Sequence, residues 1–172
     1  MLADVRWRSG AALVLDAARR ARVPSVLDAD VAPVASLHDL CARCDYAIFS
    51  ESGLSAASGT NSAGLGLRHM QAMAPGVVGV TLGADGFLWL DAGLERRAQA
   101  PRIDVVDTLA AGDVFHAAFA VAVAEGRAVA DAARFANAAA ALKCTRPGGR
   151  TGAPTRIEVD APARARGTAL NA

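Results

Sequence analysis

The spacing of apolar and polar positions changes period repeatedly along the chain, and each change marks an element. From Ser9 to Arg22, Ala12, Leu15 and Ala18 recur at helical spacing, Arg19, Arg20 and Arg22 face outward, and Pro24 stops the run. Ser25 to Leu27 is a short β-leaning stretch ending at Asp28 and Asp30. Ala35 to Cys44 has helical spacing again, and Tyr46 to Phe49 predicts a buried strand closed by Ser50. Asn61 to Met73 predicts a helix that ends at Pro75-Gly76, before the fully apolar strand Val77 to Leu82. The loop Gly83-Ala84-Asp85-Gly86 then leads into Phe87 to Leu90, a hairpin signal. Ala98 to Val106 predicts one more strand. Ala111 to Glu125 and Ala128 to Lys143 read as long Ala-rich helices split at Gly126. From Thr145 onward Pro, Gly and Arg accumulate, which predicts loop and a frayed end. Met1 to Val5 reads as the end of a strand with no run-up. Helix and strand in alternation predict an α/β fold around a mostly parallel sheet.

Composition narrows the class. With 53% apolar and 20% charged residues the chain is globular, and its 172 residues suffice for one domain. The longest apolar run, Ala117 to Ala124, is far short of the ~20 residues that cross a bilayer, so no membrane partner is expected. Eighteen bases balance seventeen acids, which leaves no electrostatic footprint for a nucleic acid. Met1 to Arg8 has no secretory pattern, and three Cys fit a reducing, cytoplasmic setting better than a disulfide scaffold.

The stretch that carries chemistry is Asp107-Thr108-Leu109-Ala110-Ala111-Gly112-Asp113, between a predicted strand and a helix. Small residues at 110 to 112 let the backbone approach a ligand, and unpaired N–H groups at a helix start favour an anion. A phosphate cradle is one reading; an ordinary helix start with Asp113 as a first-turn acid is the other.

This segment resembles the signature of the ribokinase-like, or PfkB, carbohydrate kinases: Asp-Thr-x-(Gly or Ala)-Ala-Gly-Asp opening a helix. Thr81-Leu82-Gly83-Ala84-Asp85-Gly86 is similar to the family's Thr-Leu-Gly-x-x-Gly hairpin. Ala136-Asn137-Ala138-Ala139-Ala140-Ala141 with Thr145-Arg146-Pro147-Gly148-Gly149 is similar to its nucleotide-side helix and following loop. The resemblance covers Asp4 to Pro154. It implies a three-layer α/β/α fold and ATP-dependent phosphorylation of a sugar hydroxyl. It also implies an anion hole at Ala110, Ala111 and Gly112, and Asp113 as the catalytic base. Thr81, Gly83, Gly86 and Asn137 would contact the nucleotide, and Asp107, Leu109 and Gly148 would hold a monovalent cation such as potassium. Asp4-Val5-Arg6-Trp7, Asp28-Ala29-Asp30 and Ser50-Glu51-Ser52 look most like the ketohexokinase and sulfofructose-kinase branch.

Two departures qualify the match. The family's magnesium-associated Asn-x-x-Glu appears as Ser50-Glu51-Ser52-Gly53, so Glu51 is the substitute candidate for Mg2+. The region expected ahead of Asp4, with the first strands, a lid and a Gly-Gly sugar motif, has no counterpart. Residues 1–154 are therefore expected to be the C-terminal part of a kinase domain and 155–172 a tail. A homodimer or a partner chain would supply the rest. The alternative is a truncated, non-catalytic nucleotide-binding or interaction module.

Other candidates have plain explanations. Cys41-x-x-Cys44 lies in a helical pattern without a paired His, which favours small buried side chains over zinc. His116, three residues after Asp113, shares its helix face and reads as a structural histidine near a ligand. His38 and His69 suggest no chemistry, and Trp7 and Trp89 are expected to pack.

Overall fold

Parallel strands cannot be joined by a tight turn, so each parallel step must cross over through other structure. The computed structural model, which describes residues 1–167, shows three such crossovers. They run through β1 (Leu2–Asp4), α1 (Arg8–Ala21), β2 (Val26–Ala29), α2 (Val34–Cys41), β3 (Tyr46–Ser50), α3 (Glu51–Ser58), α4 (Ala63–Gln71) and β4 (Val77–Thr81). Then come β5 (Phe87–Asp91), β6 (Leu94–Ala98), α5 (Ala111–Ala124), α6 (Val129–Cys144) and α7 (Arg156–Gly167). The six strands stand in sequence order, β1 to β4 parallel and β5 antiparallel to both β4 and β6.

Strands that advance in one direction through right-handed crossovers place every connecting helix on the same face. The period of two along each strand divides the sheet residues accordingly. Leu27, Ala29, Ala47, Phe49, Val78 and Val80 pack against Leu15, Leu37, Leu40, Leu54 and Met70 of α1 to α4. Val26, Ile48, Phe87 and Trp89 face the other way, onto Phe115, Phe119, Ala132 and Ala136 of α5 and α6. Phe87 centres that second core, its ring 5.2 Å from Phe115 and 5.8 Å from Phe119. Gly79 makes room for it, since a Cβ there would stand 2.6 Å from Phe87 Cε2. The result is the expected three-layer α/β/α arrangement, with Trp89 buried; Trp7 instead is 72% exposed and lies over Gly10.

Three segments differ from the sequence reading. The strand predicted over Ala98 to Val106 lies earlier, at Leu94–Ala98, and 99–110 is irregular. Glu95-Arg96-Arg97 on an exposed edge strand lacks an apolar alternation, while Val105 and Val106, apolar as they are, stay exposed. A helix at α3 went unread because its residues are mostly small; Ser50 caps it by accepting the Gly53 N–H. The predicted frayed end is helical from Arg156 to Gly167. Thr155 and Glu158 form a reciprocal capping box, the carboxylate accepting the Thr155 N–H at 2.7 Å. Arg156 ties the helix to Glu125 and, like Arg127, lies against the Phe135 ring, at 4.8 and 4.7 Å from its centroid. Of the predicted tail, 168–172 lie outside the described residues.

Candidate functional site

Polar residues stand at or beside the ends of all four parallel strands, at one edge of the sheet: Asp4, Asp28 and Asp30 on either side of Ala29, Ser50 and Thr81. The register aligns them, Asp4 opposite Asp28 and Ser50 opposite Thr81. Ligands of open α/β sheets bind at this edge, and α5 begins there. Ala110, in the left-handed region at φ 63°, turns the chain into α5 with no side-chain cap. The Ala111 N–H reaches back to Thr108 O and the Val114 N–H to Ala110 O, which leaves those of Gly112 and Asp113 without an intrahelical acceptor. A Cβ on Gly112 would meet nothing within 4 Å, so the approach is open.

Two cavities meet at this helix start. A largely apolar one of about 590 Å³ runs between the hairpin turn, at Gly83 and Gly86, and α6, at Asn137 and Ala140. A polar one of about 270 Å³ holds Asp4, Asp28, Asp30, Asp113, Arg6 and His116. Thr81 and Gly112 line both. Asp113 is exposed and has no hydrogen bond or ion pair among the described residues.

The acids of the polar cleft have different environments. Burial pushes the Asp28 carboxyl above its ordinary range; His116 opposes the shift, and Asp113, Asp30 and Asp4 add to it. Asp30 is held below its range by the Val31 N–H and by the Ser50 hydroxyl, which donates to it at 2.9 Å. Arg6 pairs with Asp30 at 2.8 Å. His116 is buried; its Nδ1 lies 2.8 Å from Gly112 O, and its Nε2 3.3 Å from Ile48 O and 3.4 Å from Asp28 Oδ1. The ring thus braces the first turn of α5 against β2 and β3, the structural role expected of it.

The remaining predicted residues divide. Asn137 lines the apolar cavity, but its amide donates to Ala98 O at 2.8 Å. The Asp107 carboxylate accepts the Leu109 and Gly148 N–H groups, both at 2.8 Å, and these bonds lower its pKa. Lys143, unread at the sequence level, donates from Nζ to Asp107 O at 2.8 Å. Glu51 is exposed in the first turn of α3 and lines neither cavity. No group of three or more His, Cys, Asp or Glu suited to hold a metal occurs among the described residues. Cys41 and Cys44 are buried free thiols, and burial pushes Cys41 up to about 12, which fits the packing role. No helix among the described residues is long and apolar enough to cross a membrane.

The fold and sequence have relatives among known proteins. The chain is 42% identical to the ribokinase of Bacillus subtilis over 89 residues, which cover 52% of this chain and 30% of that one. The solved structure of a ribokinase-like protein of Agrobacterium tumefaciens superposes with a TM-score of 0.90 at 40% identity, over 96% of this chain and 55% of the other. Arabidopsis thaliana ribokinase, solved with ribose and ATP, gives 0.79 at 30% identity over 92% and 53%. The chain thus spans about half the length of the solved relatives it matches. With residues 2–156 matching the family described as pfkB family carbohydrate kinase, the chain belongs to that family.

Proposed function

We propose that this chain carries the nucleotide side of an ATP-dependent carbohydrate kinase, with the catalytic base. The observation that supports it is the meeting of an apolar and a polar cavity at one uncapped helix start beside an unpaired carboxylate. Adenosine fits the apolar cavity between the hairpin and α6. The triphosphate runs past Gly83 and Gly86 toward α5, where the turn through Ala110, Ala111 and Gly112 forms the anion hole for the transferring group; the Ala111 N–H is committed to Thr108 O, so the donors are the open N–H groups of Gly112 and Asp113. A sugar hydroxyl in the polar cleft gives its proton to Asp113 as its oxygen bonds to the γ-phosphorus and the bond to ADP breaks. Magnesium would be held mainly by nucleotide phosphates and water and would supply neutralisation of phosphate charge. Glu51 stands away from this path; Asp28 and Asp30 are the cleft carboxylates available to its water shell.

Calorimetry with MgATP, followed by a transfer assay over a sugar panel, tests the proposal. The panel includes ribose, which the Arabidopsis thaliana structure holds, and ketohexoses, to which the branch resemblance points. Asp113 is unpaired, so Asp113→Asn should keep the melting temperature and ATP affinity while turnover falls by ~10²- to 10⁴-fold. Unchanged turnover would refute the base assignment. A folded chain that binds no ATP would refute the nucleotide site, and ATP binding without transfer to any sugar would favour the non-catalytic module.

A further inference from the structure

Lys143 is the only lysine in the chain, the other seventeen bases being Arg. It stands in line with Ala132, Ala136 and Ala139 on the buried face of α6, where helical periodicity calls for an apolar side chain. Its side chain is completely buried, and an ammonium group is costly to bury unless its surroundings compensate it. Here they do. Nζ donates to the Asp107 carbonyl at 2.8 Å and lies 3.6 Å from Asp107 Oδ2. The last turn of α6, with its negative dipole end, adds to this, and Cys144 O in that turn is tied to the Val106 and Asp107 N–H groups. A carbonyl, a carboxylate and a helix C-terminus form the oxygen-rich surroundings in which a dehydrated monovalent cation would sit. They belong to the loop of Asp107, Leu109 and Gly148 where family resemblance implies potassium. Two unit positive charges on one carboxylate repel each other, so the residues present do not fit an added cation.

We infer that Lys143 is a built-in substitute for the monovalent cation. Its ammonium fixes the Asp107 carbonyl, the Asp107 carboxylate fixes the Leu109 and Gly148 N–H groups, and together they hold the turn that leads through Ala110 into the open N–H groups of α5. Lys143 is therefore a positioning residue, and nucleotide binding needs no potassium. The inference rests on the nucleotide reading of the α5 start for its functional consequence, but its charge argument is independent of that reading.

The test compares wild type with Lys143→Ala, which vacates the space, in potassium, sodium and tetramethylammonium chloride at equal ionic strength, reading MgATP affinity and melting temperature. Wild type should give the same values in all three salts. Lys143→Ala should bind MgATP about tenfold more weakly and melt lower in tetramethylammonium, and potassium should restore both. A wild type that gains affinity or stability specifically from potassium overturns the inference, as does a folded variant whose loss no monovalent cation repairs. If Lys143→Ala folds in no salt, the wild-type comparison alone decides. If wild type binds no ATP the nucleotide reading fails, while melting temperatures of the two proteins still decide the cation question.

Discussion

Replacing Asn137 with Ala separates two roles that the sequence merges. By family resemblance the side chain contacts the nucleotide; in the structure it is 5% exposed, and its amide is committed to Ala98 O at 2.8 Å, with a longer contact of 3.4 Å to Gln99 O. It therefore ties α6 to the end of β6, where the chain enters the irregular segment 99–110 above the apolar cavity. Truncation removes a hydrogen bond and leaves a carbonyl to be satisfied by water entering from that cavity. The cost should be about 1–2 kcal/mol, or about 2–8 °C in melting temperature for a domain of this size. Circular dichroism melts and urea titrations of the ligand-free protein measure it. Asn137→Asp sharpens the test, because a carboxylate oxygen against Ala98 O raises the new group's pKa in the folded state. Its destabilisation should be absent well below the ordinary aspartate pKa and grow as pH rises through the raised one. Ligand-free stability of Asn137→Ala within ~0.5 kcal/mol of wild type, with only nucleotide affinity reduced, would refute the structural role.

Gly86→Ala should cost at least ~1–3 kcal/mol, since the residue sits at φ +84° and the added Cβ strikes Ala98 O and comes within 2.7 Å of Ala100 N; wild-type stability in a urea titration would contradict this. Gly112→Ala should do the opposite to stability, raising it by ~0.4–1 kcal/mol because its Cβ meets nothing, while the methyl obstructs the anion approach and abolishes the MgATP-induced thermal shift; an undiminished shift would show that the ligand does not come near Gly112. Glu158 is pulled down to about 2 by the Arg146 guanidinium and by Thr155, whose N–H and hydroxyl both donate to it. Because its folded pKa is lowered, its stabilisation is complete above the ordinary glutamate range and disappears as pH falls toward about 2. The melting deficit of Glu158→Gln should accordingly be constant from neutral pH to mildly acid pH and close on further acidification; a deficit independent of pH would exclude the ion pair as its source.

The elements that bury a continuous apolar face were legible. Val77 to Leu82, the Gly83 to Gly86 turn and the two Ala-rich helices all lie where their periodicity placed them, and the Asp107 to Asp113 motif marked the α5 start. What escaped shares a physical cause: those segments take their structure from neighbours. β6 is a strand because β5 offers it a hydrogen-bonding edge, and its Glu-Arg-Arg face is solvated. The helix α3 is held by a single serine cap and by small residues that fit close to the sheet, as Gly53 does under the Ala29 carbonyl. A capping box was visible in Thr155 to Glu158, but the Arg- and Pro-rich composition around it pointed to loop. Lys143 left a signal too, a charge at an apolar helical position, yet only the fold supplies the Asp107 carbonyl that explains it.

The same dependence on context explains why four carboxylates can share the polar cleft. Each parallel strand is only three to five residues long, so all of them end at one level, and the pleat aims alternate residues at the α5 side. Asp28 follows Val26 on that face, which brings its carboxyl beneath His116, while Asp30, just past the strand end, is free to meet Arg6 and Ser50. Asp4 uses an oxygen on the Arg6 N–H. Three acids are therefore engaged by the protein itself. Among the described residues Asp113 alone of the four is left with no partner of its own, beside N–H groups that favour negative charge, and that asymmetry is what supports its proposed role as the acceptor of a substrate proton.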